Sequence, residues 1–341
     1  MSHNFEFGLS QATGDWLVVL GDDDGVLPTG ISRGMKILAE SGADALASRN
    51  CYYVWPSARG SDARPFLSVP YGSGWQWRSS KRAIERLLDR DLGFHEIPIT
   101  YTGGIVRRSL YERIKQVRGT FFHSQIPDCY SAFALCSATE RYVFTPEPLM
   151  ISGVSGHSHG RSSLNLEKSS FKTEDNIPLH PDLSMPDGGT LTFSIQALLV
   201  ESYLQTSFLR KLSKPTEIGN EIVRILAFAK YFRSSSSGAF KSWEATLDWG
   251  RKAAVAHGLD FASVLSRAQR LPIRNRLSQS RQHLNDFRLR YVVDPALNLP
   301  VAEVHEAAIV ADTIRCTRPS RLDSYARTIR RRLAPPRPSQ G

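Results

Sequence analysis

Residues 16–20 form an unbroken apolar run, Trp-Leu-Val-Val-Leu, bounded by Gly14 and Gly21 and followed at once by Asp22, Asp23 and Asp24. Five apolar residues without alternation, closed by glycines, predict a strand buried on both faces, as in a parallel sheet. Open α/β sheets bind ligands beyond the carboxyl ends of their strands, so the aspartates fall where such a fold does its chemistry. Adjacent like charges repel unless something positive lies among them. A divalent cation carrying phosphates answers that need, because hard Mg²⁺ or Mn²⁺ takes one or two carboxylates and fills its shell with phosphate oxygens. Pro28 then opens a predicted helix over 29–38, with Ile31, Met35 and Leu38 on one face.

The length, 341 residues, predicts two domains. Hydrophobic content of 41% and charged content of 22% are ordinary for a soluble chain. No apolar run approaches the length of a transmembrane helix, and the first residues lack the features of a signal peptide. The four cysteines, Cys51, Cys129, Cys136 and Cys316, show no C-x-x-C spacing, which argues against a zinc site or a disulfide framework. A reducing cytoplasm follows as the expected compartment. Residues 1–160 are neutral, with 16 basic and 16 acidic side chains, so residues 161–341 carry the whole +10 excess. That basic half reads either as solvated helix faces or as a surface for anionic partners, such as lipid headgroups at a membrane periphery.

Along the chain, 3–13 reads as a short helix, 44–48 as a second strand continued by aromatics from 51 to 55, and 57–74 as a long surface loop. An amphipathic helix is predicted over 79–91. Around Gly103-Gly104 the pattern is strand, tight turn, short strand and helix start, with Arg107 and Arg108 able to meet phosphate or merely to be solvated. Asp128 stands ahead of an apolar helix, where an N-cap aspartate is worth about 1 kcal/mol over alanine. Strands are predicted at 142–144 and 149–151, with a Pro146-Glu147-Pro148 turn between them. A loop of small residues follows, holding His157, His159 and Arg161. Residues 164–189 read as a linker, 190–314 as a helical region, and 315–341 as a basic, Pro-rich, disordered tail.

Two family patterns overlap at the acidic turn, beside the plain reading of a solvated loop that caps the next helix through its dipole. Asp22-Asp23-Asp24-Gly25-Val26 resembles the strand end of haloacid-dehalogenase-type phosphatases, but no downstream G-D-x-x-x-D pair accompanies it. A longer stretch, Asn4, Gly8-Leu9, Ala12-Thr13-Gly14-Asp15, then Asp22 to Asp24 and Pro28, resembles family-2 glycosyltransferases of the GT-A type. That resemblance implies a partial GT-A, Rossmann-like mixed sheet with helices over 1–163, followed by a mainly α-helical C-terminal region. It implies inverting transfer of a sugar from a nucleotide-diphosphate-sugar donor to a saccharide or lipid-linked acceptor, with Mn²⁺ or Mg²⁺. In its terms Asp22, Asp23 and Asp24 hold the donor, and Asp22 and Asp24 hold the metal. His157 or His159 supplies a further ligand, Arg107 and Arg161 contact the diphosphate, and Asp128 is the general base. The family pairs that base with a preceding acidic residue, and here Pro127 precedes it. No nucleic acid is expected as a partner.

The family's nucleotide-binding βαβ crossovers precede its acidic motif, and here that motif begins at residue 22. The resemblance therefore implies an N-terminally truncated domain. Its strand at 16–20 should be short of neighbours, open to oligomerisation along its edge, and inactive in transfer as given. A non-catalytic remnant acting through the basic half, and the phosphatase, are the alternatives.

Overall fold

The computed structural model describes residues 2–55, 66–88, 96–156, 177–178, 180–183, 195–209, 218–232, 237–271, 290–293 and 303–317, and all structural statements concern these. Helix α1 (Ser2–Ser10) leads into β1 (Trp16–Leu17), the acidic turn and β2 (Gly25–Val26). Then come α2 (Gly30–Ser41), β3 (Ala45–Val54), β4 (Phe66–Pro70), β5 (Gln76–Ser79) and α3 (Ser80–Leu88). Next are β6 (Gly104–Arg107), α4 (Arg108–Arg118), α5 (Pro127–Ala138) and β7 (Arg141–Val154). The C-terminal half supplies α6 (Ile195–Gln205), α7 (Ile218–Phe232), α8 (Ser237–Ala256), α9 (Phe261–Arg270), β8 (Arg290–Val293) and α10 (Val304–Thr317).

The fold is mixed α/β with a helical C-terminal region. Its eight strands form one sheet built around the parallel pair β3 and β7, which run together from Leu46 and Val143 to Val54 and Val154. Every other pairing is antiparallel. β6 lies beside the start of β3 and β4 beside its end, while β5 and β2 divide the far side of β7 in the same way. β1 closes one edge outside β6, and β8 closes the other outside β4.

This corrects the expectation for 16–20. The strand is two residues long, sits at an edge with β6 alone as partner, and leaves Leu20 41% exposed. The chain leaves the sheet after Leu17 because it must turn at once into the acidic loop, where Asp24 N–H bonds the Gly21 carbonyl at 3.2 Å. Shortage of neighbours, by contrast, is what the edge position shows among the described residues. The two strands predicted at 142–144 and 149–151 are one strand, β7. Its pairing with β3 continues through an irregularity between Ser48 and Asn50, and Thr145 Oγ1 accepts the Glu147 N–H at 3.1 Å.

Helix α2 approaches the sheet on glycine. A Cβ on Gly30 would stand 2.0 Å from the Leu149 carbonyl oxygen, so Ile37 and Leu38 pack directly on Leu46 and Leu149. Gly42, at φ +66°, ends the helix by donating to the Leu38 carbonyl at 2.9 Å. On the opposite face α3, α4 and α5 bury the largest core, which continues through Leu199, Val200, Ile222 and Leu226 into the helical half. That junction holds a buried carboxylate, Glu201, which accepts from Ser124 Oγ at 2.5 Å and Gln205 Nε2 at 2.8 Å.

The C-terminal half is not helical throughout. β8 extends the sheet beside β4, and α10 lays Ala307, Ala308 and Ala311 on Leu27, Cys51, Tyr53 and Ile151. Leu149 and Ile151, two apart on β7, share a face, so α2 and α10 cover the same side of the sheet. Asp312 accepts from Thr29 N at 3.2 Å and Thr29 Oγ1 at 2.9 Å, which ties α10 to the residue that precedes α2. Arg315 bonds Asp312 Oδ1 at 2.8 Å and reaches Glu147 Oε1, whose other oxygen takes Arg33 at 3.1 Å.

Candidate functional site

The acidic turn sits where β2, the end of β7 and the loop before β6 meet. Asp24, 9% exposed, is held by the turn itself, the loop before β6 and the end of β7. Its Oδ2 accepts from Gly21 N at 3.0 Å and from Thr102 Oγ1 at 2.5 Å, and its Oδ1 accepts from Gly153 N at 2.9 Å. Asp23 is half-buried, and its Oδ2 accepts from Ser155 N at 3.3 Å. Asp22 is exposed at the tip and makes no side-chain hydrogen bond among the described residues. The three carboxylates are thus not equivalent: one is built in, one is tethered, and one is free.

Tyr101 lies over this turn. A Cβ on Gly21 would meet the Tyr101 hydroxyl at 2.5 Å and Asp24 Oδ2 at 3.0 Å, so only a glycine lets the phenol lie over the turn. The phenol is pushed well above its usual range by burial first, then by the charge of Asp24 and a hydrogen bond to it, and then by Asp23 and Asp128. It therefore stays protonated and serves Asp24 as a donor. Its ring rests against Phe5 of α1, with centroids 5.9 Å apart.

Asp128 occupies the second position of α5, not the cap: Pro127 is the first helical residue and Ile126, in extended conformation, precedes it. Proline's fixed φ suits the first helical position, which pushes the carboxylate one step into the helix. Its Oδ1 accepts the Cys129 N–H at 2.8 Å. Burial pushes its carboxyl above the ordinary carboxylate range, against that hydrogen bond. A raised pKa makes a better proton acceptor once the group is ionised.

Arg107 is not brought to the turn. Thr102 touches Asp24, and after the turn at Gly103 the four-residue β6 carries the chain away by roughly 10 Å from Gly104 to Arg107. Arg107 instead bonds Asp44 Oδ1 through Nε at 2.6 Å and lies over the Trp16 ring at 4.3 Å. It lines a separate open cleft of about 570 Å³ at the start of α4, with Arg108, Arg113, Asp15 and Glu112. His157, His159 and Arg161 lie outside the described residues. The last described residues before them, Ser155 and Gly156, leave the sheet beside Asp23.

The fit of a divalent ion follows from the donors already in place. An ion needs free carboxylate lone pairs, and both oxygens of Asp24 are taken by N–H and O–H donors from three segments. The described residues include no group of three His, Cys, Asp or Glu side chains placed to hold a metal. Asp24 thus gives at least three of its roughly four lone-pair sites to protein donors, and Asp22 and Asp23 are the carboxylates with more of theirs left for an ion. Sequence patterns singled out the Thr100 to Gly104 segment for its glycines and missed Tyr101 and Thr102. Three polar side chains in an otherwise apolar stretch were the available signal.

No family model matches the chain, and no curated protein matches it. Among solved structures, S. aureus TarS 1–349 in complex with UDP-GlcNAc aligns over 74% of this chain and 71% of its own length, at 11% identity and a TM-score of 0.33. A likeness at that level says nothing about the residues of the site.

Proposed function

We propose that the acidic turn and Asp128 belong to the site of an enzyme that transfers a sugar from a nucleotide-diphosphate-sugar donor to a saccharide or lipid-linked acceptor. The observation that carries the reading is that one loop is bonded to both carboxylate segments: Thr102 Oγ1 donates to Asp24, and Thr100 N donates to Ser131 Oγ, which donates to the Asp128 carbonyl. That supports reading two segments of the glycosyltransferase-like pattern, about a hundred residues apart in sequence, as parts of one site. Asp22 and Asp23 face the donor and accept from its hydroxyl groups. Asp128 takes the proton of the acceptor hydroxyl. The acceptor oxygen then forms its bond to the anomeric carbon as the bond to the diphosphate breaks with inversion, and the diphosphate leaves with the electron pair. Mn²⁺ or Mg²⁺ would be held by Asp22, with Asp23 in place of the Asp24 expected from the sequence, and would neutralise charge on the leaving diphosphate.

Calorimetric titration of the full chain with a panel of nucleotide-sugars, with and without Mn²⁺, tests the reading. One of them should bind to the parent and fail to bind to Asp23→Asn. Binding of none, or equal binding by both proteins, would remove the acidic turn from any donor site.

A further inference from the structure

We propose that Asp24 is a positioning residue: it locks the acidic turn to the Thr100-Tyr101-Thr102 loop, and that loop sets where the turn stands relative to Asp128. Hydrogen bonds trace the connection without a gap. Thr102 Oγ1 donates to Asp24 at 2.5 Å. Two residues earlier, Thr100 N donates to Ser131 Oγ at 3.1 Å, and Ser131 Oγ donates to the Asp128 carbonyl at 2.9 Å. Thr100, Thr102 and Ser131 are each no more than 1% exposed, so water does not compete for these bonds.

The loop is also held from behind. Asn50 Nδ2 donates to the Thr102 carbonyl at 2.8 Å. Gly103, at φ +99°, brings the backbone so near Asn50 that a Cβ would stand 2.4 Å from its Oδ1. Gly153 N fixes the other oxygen of Asp24 to the end of β7 at 2.9 Å. A carboxylate so surrounded has its charge met by N–H and O–H dipoles and needs no cation.

The two roles open to such a residue make opposite demands on the metal-free protein. A carboxylate kept for a cation is repelled by its acidic neighbours, so removing it relieves the empty site. A carboxylate that fastens three segments leaves buried donors unpaired when it is removed. Melting in excess EDTA therefore separates them, and because no substrate takes part, the result stands apart from the sugar-transfer reading on which the role of Asp128 rests.

The full chain and its Asp24→Asn, Thr102→Val, Thr102→Ser and Asp22→Asn variants would be melted in EDTA and again in Mn²⁺. Asp24→Asn and Thr102→Val should each lower Tm by about 4–8 °C in EDTA. The double variant should lose little beyond the worse single one, and Thr102→Ser should return close to the parent. Asp22→Asn should melt with the parent or above it, and amide exchange at Thr100 and Gly153 should quicken in Asp24→Asn. An Asp24→Asn protein that melts at or above the parent in EDTA would overturn the proposal. If Asp24→Asn does not fold, Thr102→Val decides alone: parent-like melting and unchanged exchange at Thr100 would overturn it equally.

Discussion

The backbone of Gly153 passes so close to Asp23 that a Cβ built on it would stand 1.7 Å from the Asp23 carbonyl oxygen. This approach is what lets Gly153 N reach Asp24 at 2.9 Å and Ser155 N reach Asp23 at 3.3 Å. Gly153→Ala must push the acidic turn off the end of β7. Overpacking of this kind costs about 1–3 kcal/mol, and the variant should lie at the upper end because backbone, not a side chain, has to give. Urea unfolding measures the loss. Donor binding should weaken in the same variant, and an unchanged midpoint would mean that the turn is not seated as described.

Asp128→Asn tests the base. General-base catalysis is worth about 10² to 10⁴-fold, so transfer should fall by that factor while donor binding persists. Asp128 works ionised, and its carboxyl is held above the ordinary range by burial. The ascending limb of kcat against pH should therefore lie above the usual carboxylate range. Normal turnover in a variant that merely melts earlier would assign Asp128 to the helix end alone.

Glu201 predicts a pH dependence of stability. It is 1% exposed, its hydrogen bonds come from Ser124, Gln205 and the His180 backbone, and burial outweighs them and raises its pKa. The folded state thus holds the proton more tightly than the unfolded one. The group's stabilising contribution is complete below the ordinary glutamate pKa and is lost as pH rises through the raised folded value. Urea midpoints measured from about pH 4 to 8 should fall with pH over that window. Glu201→Gln should flatten the profile, and a variant that keeps the parent's slope would place the titration elsewhere.

Arg315 is the cation between two buried carboxylates, Asp312 and Glu147, which are 7% and 3% exposed. Arg315→Met leaves Arg33 to serve Glu147 and leaves Asp312 with Thr29 alone. Stripping one partner from a buried ion pair costs about 3–5 kcal/mol. Equilibrium unfolding should show a loss of that order, whereas Lys252→Met, which breaks an exposed pair with Asp248, should lose under about 1 kcal/mol.

Elements written in helical spacing were legible before any coordinates. Ile222, Ile225, Leu226 and Ala229 announced α7, and Ile84, Leu87 and Leu88 announced α3. What misled was the apolar run at 16–20, because composition alone does not distinguish a strand with two neighbours from an edge strand that leaves the sheet after Leu17. The break expected at Pro146 to Pro148 failed for a related reason: β3 supplies partners on both sides of it, and tertiary pairing overrides local turn chemistry. At the site, the carboxylates were visible as residue types but not their inequality. Which aspartate is buried depends on Thr102 and Gly153, and no local pattern reports a bond spanning 78 or 129 residues.

The docking of α10 also imposes an order of events on synthesis. Thr29 and Asp312 are 283 residues apart. At ribosomal speeds of about 5–20 residues per second, Thr29 waits on the order of 15–60 s for the carboxylate that it bonds. Through that interval Leu27, Cys51, Tyr53 and Ile151 have no helix over them. A nascent chain in that state displays a continuous apolar face, the kind of surface that holding chaperones recognise, until the last described helix folds over it.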